Sequence, residues 1–162
     1  MYRLITDDST ANKSIKSAKI SQSIASANAT NVRAFYNNVP MEKNKTYTIA
    51  FLAKVDAKDG DKRELALNIQ TLDVPPKQVF IKTITLDSVD WKEYVYVVPP
   101  KDLEGPVRIE FLVGLSAVDF WFDDFRFFEG EPADEMKGET MVTPINKIPV
   151  SWGEIKKMRD EG

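Results

Sequence analysis

Asn68 and Gln70, Arg108 and Glu110, and Arg33 and Phe35 each stand two residues apart, the spacing that puts both side chains on one face of an extended strand. Two amides, two guanidinium groups and a carboxylate carried in this way make a surface of hydrogen-bond donors and acceptors, and Phe35 adds a ring. That is the chemistry of recognition. The same residue types also cover ordinary solvated sheet faces, where Arg108 and Glu110 would form only a surface ion pair. A second cluster, FWFDDFRFF at 120–128, crowds six aromatic rings around Asp123 and Asp124. Carboxylates among rings are costly unless paired or metal-bound. The stretch is therefore either a buried strand with neutralised acids or an exposed aromatic platform.

Composition narrows the chemistry further. Histidine and cysteine are both absent from the 162 residues. That removes thiol nucleophiles, histidine bases, Ser-His triads, and zinc, haem or iron–sulfur ligation by those side chains. A hard cation held by oxygen ligands remains open. A net charge of -3 gives no basic footprint for nucleic acid. No segment reaches the roughly 20 apolar residues of a membrane span. The N-terminus MYRLITDDST lacks a signal-peptide pattern, so the signal of an exported protein would lie outside this sequence or have been removed.

The elements that must position these residues are strands. In YTIAFLAKV, Tyr47, Ile49, Phe51, Ala53 and Val55 share one face. Leu65, Leu67 and Ile69 alternate with Ala66, Asn68 and Gln70; Val107, Ile109, Phe111 and Val113 alternate with Arg108, Glu110 and Leu112. Further strands are expected at 18–25, 32–36, 79–86, 92–98 and 118–128. Turns are expected at Lys58-Asp59-Gly60-Asp61, Val74-Pro75-Pro76, Pro99-Pro100 and Glu104-Gly105-Pro106. Short strands at this spacing, with no helical pattern between them, predict an all-β fold, an antiparallel β-sandwich, over residues 1–128. Strict alternation puts Trp121, Asp123, Phe125 and Phe127 on one face of the last strand, with Phe120, Phe122, Asp124, Arg126 and Phe128 on the other. Both faces are aromatic, as suits a central strand covered on both sides. Residues 129–150 lack periodicity and read as an extended linker. Ser151 and Glu154 form a capping box for a short helix over 151–162, with Trp152, Ile155 and Met158 on one stripe.

Lys45, Tyr47, Phe51, Ala53 and Lys54 in one strand, Trp91 and Tyr94 in a later one, and Asp123-Asp124 in the last keep a familiar order and spacing. The pattern resembles the jelly-roll carbohydrate-binding modules attached to bacterial xylanases and glucanases, those of families 4, 9 and 22. The resemblance implies non-catalytic binding of a polysaccharide or oligosaccharide on a concave sheet face. It also implies an extracellular or cell-surface location and further domains in a larger exported protein. Candidate ligand-binding residues are then Arg33, Phe35, Asn68, Gln70, Arg108 and Glu110. Tyr36 replaces Phe35 if a bulge shifts the register, and Phe80, beside Gln78, would overhang the groove from the Pro-rich loop. The resemblance further implies a structural calcium ion held by Asp123, with oxygens from around Asp7 to Ser17. Without a metal, Asp123 would cap backbone amides and Asp124 would pair with Arg126 or a lysine.

Three departures bear on these expectations. Asn44 replaces the turn glycine before Lys45, a mild change because asparagine tolerates left-handed geometry. The usual first strand lacks its signature, so Met1–Thr6 is the candidate for a reduced edge strand. Asn31 and Leu52 stand where the modules often carry tryptophan. This last departure favours the alternative, a structural or adhesive sandwich with no sugar site. A glycosidase would need two carboxylates across a cleft, and nothing in the sequence fixes a pair such as Glu110 and Glu64.

Overall fold

The structure, a computed structural model, describes residues 2–7, 17–22, 24–56 and 61–133. The expected helix, most of the expected linker and turn residues 58–60 lie outside them. The strands are β1 (Tyr2–Asp7), β2 (Ser17–Gln22), β3 (Arg33–Met41), β4 (Tyr47–Val55), β5 (Arg63–Thr71), β6 (Gln78–Leu86), β7 (Lys92–Val98), β8 (Gly105–Leu112) and β9 (Phe120–Glu129). They form two sheets, ordered β1-β2-β9-β4-β7 and β3-β8-β5-β6. All pairings are antiparallel. Among the described residues no helix is long and apolar enough to cross a membrane.

The sandwich follows from the alternation. The inward sets Tyr47, Ile49, Phe51, Ala53 and Val55 of β4, Leu65, Leu67 and Ile69 of β5, and Val107, Ile109 and Phe111 of β8 are all buried in one core. Phe51 is its hub, 5.5 Å from Tyr94, 5.2 Å from Phe111 and 5.3 Å from Phe122 between ring centroids. Each fully buried ring contributes roughly 1.5–3 kcal/mol through apolar area alone, and offset or edge contacts add to that.

The last strand answers the question set by FWFDDFRFF, with one correction. It is central, lying between β2 and β4. The ladder with β4 runs Leu52 opposite Asp123 and then Ala50 opposite Arg126, with a shift of register between. Asp124, at φ 50, occupies the shift. Such an extra residue reverses the parity of everything after it. The core therefore receives Phe120, Phe122 and Phe127, with Phe125 packed against it, while Trp121, Asp123, Arg126 and Phe128 turn to the outer side. Strict alternation failed here because it counted every residue as one step of the pleat.

Local exceptions elsewhere have causes. Strand β3 continues through Pro40, which is tolerated because β3 is a sheet edge. It carries a bulge between Tyr36 and Val39, with Asn38 at φ 59. Asn44 does adopt the left-handed conformation, at φ 60. The N-terminal segment supplies an edge strand, β1, paired with β2.

The connection from β8 to β9 is tied down at Gly114. Its N–H donates to Ala29 O at 3.0 Å, and its carbonyl accepts from Ser26 N at 2.7 Å. A Cβ here would press on the backbone carbonyls of Asn28 and Ala29, the latter oxygen only 2.9 Å away. Gly114→Ala is expected to destabilise by about 2 kcal/mol, in the range of overpacking with backbone displacement. Urea unfolding measures it, and a change below 0.5 kcal/mol (about the scatter of surface substitutions) would refute the close approach.

Candidate functional site

The outward side chains of the four-stranded sheet meet in three cross-strand rows. Strands β3 and β8 bring Arg33 opposite Leu112 and Phe35 opposite Glu110. Strands β8 and β5 bring Leu112 opposite Ala66, Glu110 opposite Asn68 and Arg108 opposite Gln70. Strand β6 then adds Thr83, Ile81 and Gln78 beside Ala66, Asn68 and Gln70. The middle row reads Phe35, Glu110, Asn68, Ile81 and spans about 14 Å across four strands.

The centre of this face is more buried than a solvated sheet surface would be. Glu110 is 2% exposed and Asn68 is 7% exposed. Asn68 Nδ2 donates to Glu110 Oε1 at 2.7 Å and to Gln70 Oε1 at 3.4 Å. A carboxylate only accepts, so the Asn68 amide nitrogen must face Glu110, which fixes its orientation. Asn68 Oδ1 is consequently an acceptor, and it is buried with no hydrogen-bond partner among the described residues. Glu110 Oε2 faces Arg33 Nη1 at 3.4 Å. The surface pair Arg108–Glu110 does not form; Glu110 is instead engaged by Asn68 and Arg33.

Arg108 is held otherwise. Its Nε donates to Asn37 Oδ1 at 2.7 Å, and its guanidinium lies 4.9 Å from the Phe35 ring centre. The β3 bulge beside Asn37 makes room for this bond. Asn37, Ile81 and Thr83 are members of the face that sequence reasoning missed. The Asn37-Asn38 pair was the available signal, since asparagine tolerates the left-handed backbone of such bulges.

Two expected residues stand elsewhere. Tyr36 pairs with Ile109 and packs against the core, because the bulge follows it and leaves its parity unchanged. Phe80 pairs with Ile69 and also packs against the core rather than overhanging the outer face. The neighbouring bulge, between Ile69 and Gln70, separates its parity from that of Gln78.

The five-stranded sheet presents a different outer surface. Trp121 is 8% exposed, with Lys19 and Lys54 Nζ 4.7 and 5.2 Å from its ring, and Lys54 also lies 5.1 Å from Trp91. Arg126 pairs with Glu93 across the intervening strand β4, above Ala50 and Leu52. Asp123 is 7% exposed. Its Oδ1 accepts from Asp124 N at 2.8 Å, and Asp124 Oδ2 faces Arg126 Nε at 3.4 Å. Asp123 thus caps a backbone amide and Asp124 pairs with Arg126. Among the described residues, no three His, Cys, Asp or Glu side chains converge as a metal group. The stretch 8–16, expected to supply most of the other oxygens, lies outside them.

No protein-family model matches the sequence, and no curated protein matches it. Solved structures do. A carbohydrate-binding module of family 4 is 24% identical over 80% of this chain and 78% of its own, with a TM-score of 0.63. A family 16 module is 19% identical over 78% of this chain and 85% of its own, with a TM-score of 0.54. A third match is the xylanase 10B of Clostridium thermocellum, whose CBM22-1 and GH10 modules were solved with xylohexaose. It is 13% identical at a TM-score of 0.55, over 78% of this chain and 24% of that one. In layers, strand direction and extent, this chain has the jelly-roll β-sandwich fold of carbohydrate-binding modules.

Proposed function

We propose that the chain is a non-catalytic glycan-binding module that holds a polysaccharide or oligosaccharide on the outer face of its four-stranded sheet. One observation carries this reading: the buried, correctly oriented Asn68 Oδ1, unpartnered among the described residues. A buried acceptor without a donor costs about 1–3 kcal/mol, and a sugar hydroxyl supplies the missing donor once binding uncovers Asn68 Oδ1, which is shut off from solvent in the free protein. Phe35 and Ile81 flank it with apolar surface for the C–H face of a pyranose, and Gln70 and Arg108 add polar groups for neighbouring hydroxyls. The fold supports the same assignment, because modules built on it bind sugars. An extracellular site of action, beside catalytic domains of a larger protein, accords with this role.

A panel of soluble plant, algal and microbial polysaccharides tests the proposal by affinity electrophoresis and calorimetry. At least one should bind. Asn68→Ala and Phe35→Ala should each weaken that binding about tenfold or more, the loss of one well-placed contact. Absence of binding across the panel would favour the structural or adhesive sandwich instead, and full binding by both variants would move the sugar site off this face.

Structural calcium belongs to the same proposal. Asp123 offers a buried carboxylate, and the further ligands would come from around Asp7 to Ser17. Calcium at about one hundred times its dissociation constant should raise the melting temperature by about 5 °C or more, reversed by a chelator. An unchanged melt under both conditions removes the ion from the description without touching the sugar site.

A further inference from the structure

The charges on the candidate face do not balance locally, and the imbalance bears on what it binds. Glu110 is engaged by Arg33 and Asn68. Arg108 has no carboxylate partner among the described residues; the only hydrogen bond of its side chain there is from Nε to a neutral amide, Asn37 Oδ1. Glu64, the remaining acid on this face, lies six residues along β5 from Gln70, the residue opposite Arg108. That is about 20 Å at strand rise. The Phe35 ring, 4.9 Å from the guanidinium carbon, and the bond to Asn37 both restrain the Arg108 head group, and the four N–H groups on its terminal nitrogens have no acceptor among the described residues. A planar fork, fixed in orientation and open at its tip, matches a carboxylate in bidentate geometry. Gln70 Nε2, across the ladder, adds a further donor with no partner among those residues.

We infer that the glycan bound on this face carries a carboxylate, as a uronic acid unit does, and that Arg108 reads it. This rests on the reading of the face as a glycan site. The face divides accordingly. Asn68 Oδ1 and Gln70 Oε1 accept from hydroxyl groups in the middle of the sheet, and the carboxylate sits beside Arg108 toward the β3 bulge.

Matched pairs of ligands isolate the carboxylate. One pair is a xylo-oligosaccharide branched with glucuronic acid and its carboxyl-reduced counterpart. The second is an oligogalacturonide and its carboxyl-reduced counterpart. Calorimetry at low and moderate salt, with the neutral panel alongside, should show one acidic member binding about ten- to hundredfold more tightly than its reduced form, the range for a charge-assisted contact. The preference should shrink with salt. Arg108→Gln should abolish it, and Arg108→Lys, which keeps the charge without the fork, should restore only part. Melting curves of both variants check that the fold is intact. Equal binding of acidic and reduced forms, or an acid preference that survives in Arg108→Gln, overturns the inference and leaves the glycan site standing. Failure of every acidic and neutral ligand to bind removes both.

Discussion

Arg63→Ala is expected to lower the unfolding free energy by about 4 kcal/mol, the largest single loss this sandwich offers outside its aromatic hub. Arg63 opens β5 and is fully buried at 0% exposure. Its two terminal nitrogens donate to the carbonyls of Val118 and Val113, the latter at 2.5 Å, and its guanidinium lies 4.3 Å from the Phe120 ring centre. One side chain thus satisfies backbone carbonyls at both ends of the β8–β9 connection. Truncation leaves one buried and one part-buried carbonyl unpaired, the buried one at about 1–3 kcal/mol, together with a cavity against Phe120. Arg63→Met separates these effects. It fills most of the volume and removes the buried charge, yet still strands the carbonyls, so a loss of about 2 kcal/mol is expected. Stabilisation by methionine would show that desolvation of the charge outweighs its bonds.

The same site predicts where pH should not matter. Burial lowers the Arg63 pKa to about 10, with Asp119 acting in the opposite direction. Below pH 10 the folded and unfolded chains both hold the proton, so this group adds no slope to stability. Only above about pH 10, where the unfolded chain alone keeps the proton, would its contribution raise stability with pH. The difference between wild type and Arg63→Met should therefore be the same at pH 6 and pH 9. Urea titrations at the two values check it, and a difference changing by more than 1 kcal/mol would place the folded pKa of Arg63 well below 10.

What was legible in the sequence and what was not divide along a physical line. Alternation fixed β4, β5 and β8 and their inward residues, because each pleat there advances one residue at a time. It placed Asn68, Gln70, Arg108, Glu110, Arg33 and Phe35 on the outer side, where they are found. It failed after Asp124, at Phe80, and in leaving Tyr36 open, and in each case a bulge decides the parity. A bulge is a contest between local φ/ψ cost and packing several strands away, and sequence order shows only the first of these. Partners were equally hidden. Nothing in the spacing of Arg33 and Glu110, seventy-seven residues apart, announces their contact. Nor does Arg63, at the start of a strand, look different from a surface arginine until the loop it bonds has folded over it.

The buried pair at the centre of the candidate face supports a sharper test than deletion. Asn68→Asp places a carboxyl group where an amide now donates to Glu110 Oε1 at 2.7 Å. Two carboxylates at that distance cannot both ionise cheaply, so the pair should retain one proton well above the ordinary carboxyl range of about 4. The sign follows from the protons bound. At pH 7 the folded variant holds a proton that the unfolded chain has released, so its stability falls as pH rises. A cost of about 3 kcal/mol at pH 8 should shrink toward zero near pH 4.5, with a slope approaching 1.4 kcal/mol per pH unit between. Asn68→Ala, which removes the donor without adding a charge, should show no such slope. The protonated carboxyl also reproduces the native pattern, with one O–H donated to Glu110 and one oxygen left as acceptor. Any glycan that binds through Asn68 Oδ1 should accordingly bind the Asn68→Asp variant at pH 5 and lose affinity by pH 8, while wild type changes little. Chemical denaturation and calorimetry on the same preparations read the two effects together. A flat pH profile for Asn68→Asp stability would mean that the two groups do not meet as the structure places them. The expected stability slope accompanied by pH-independent binding would detach Asn68 from the ligand.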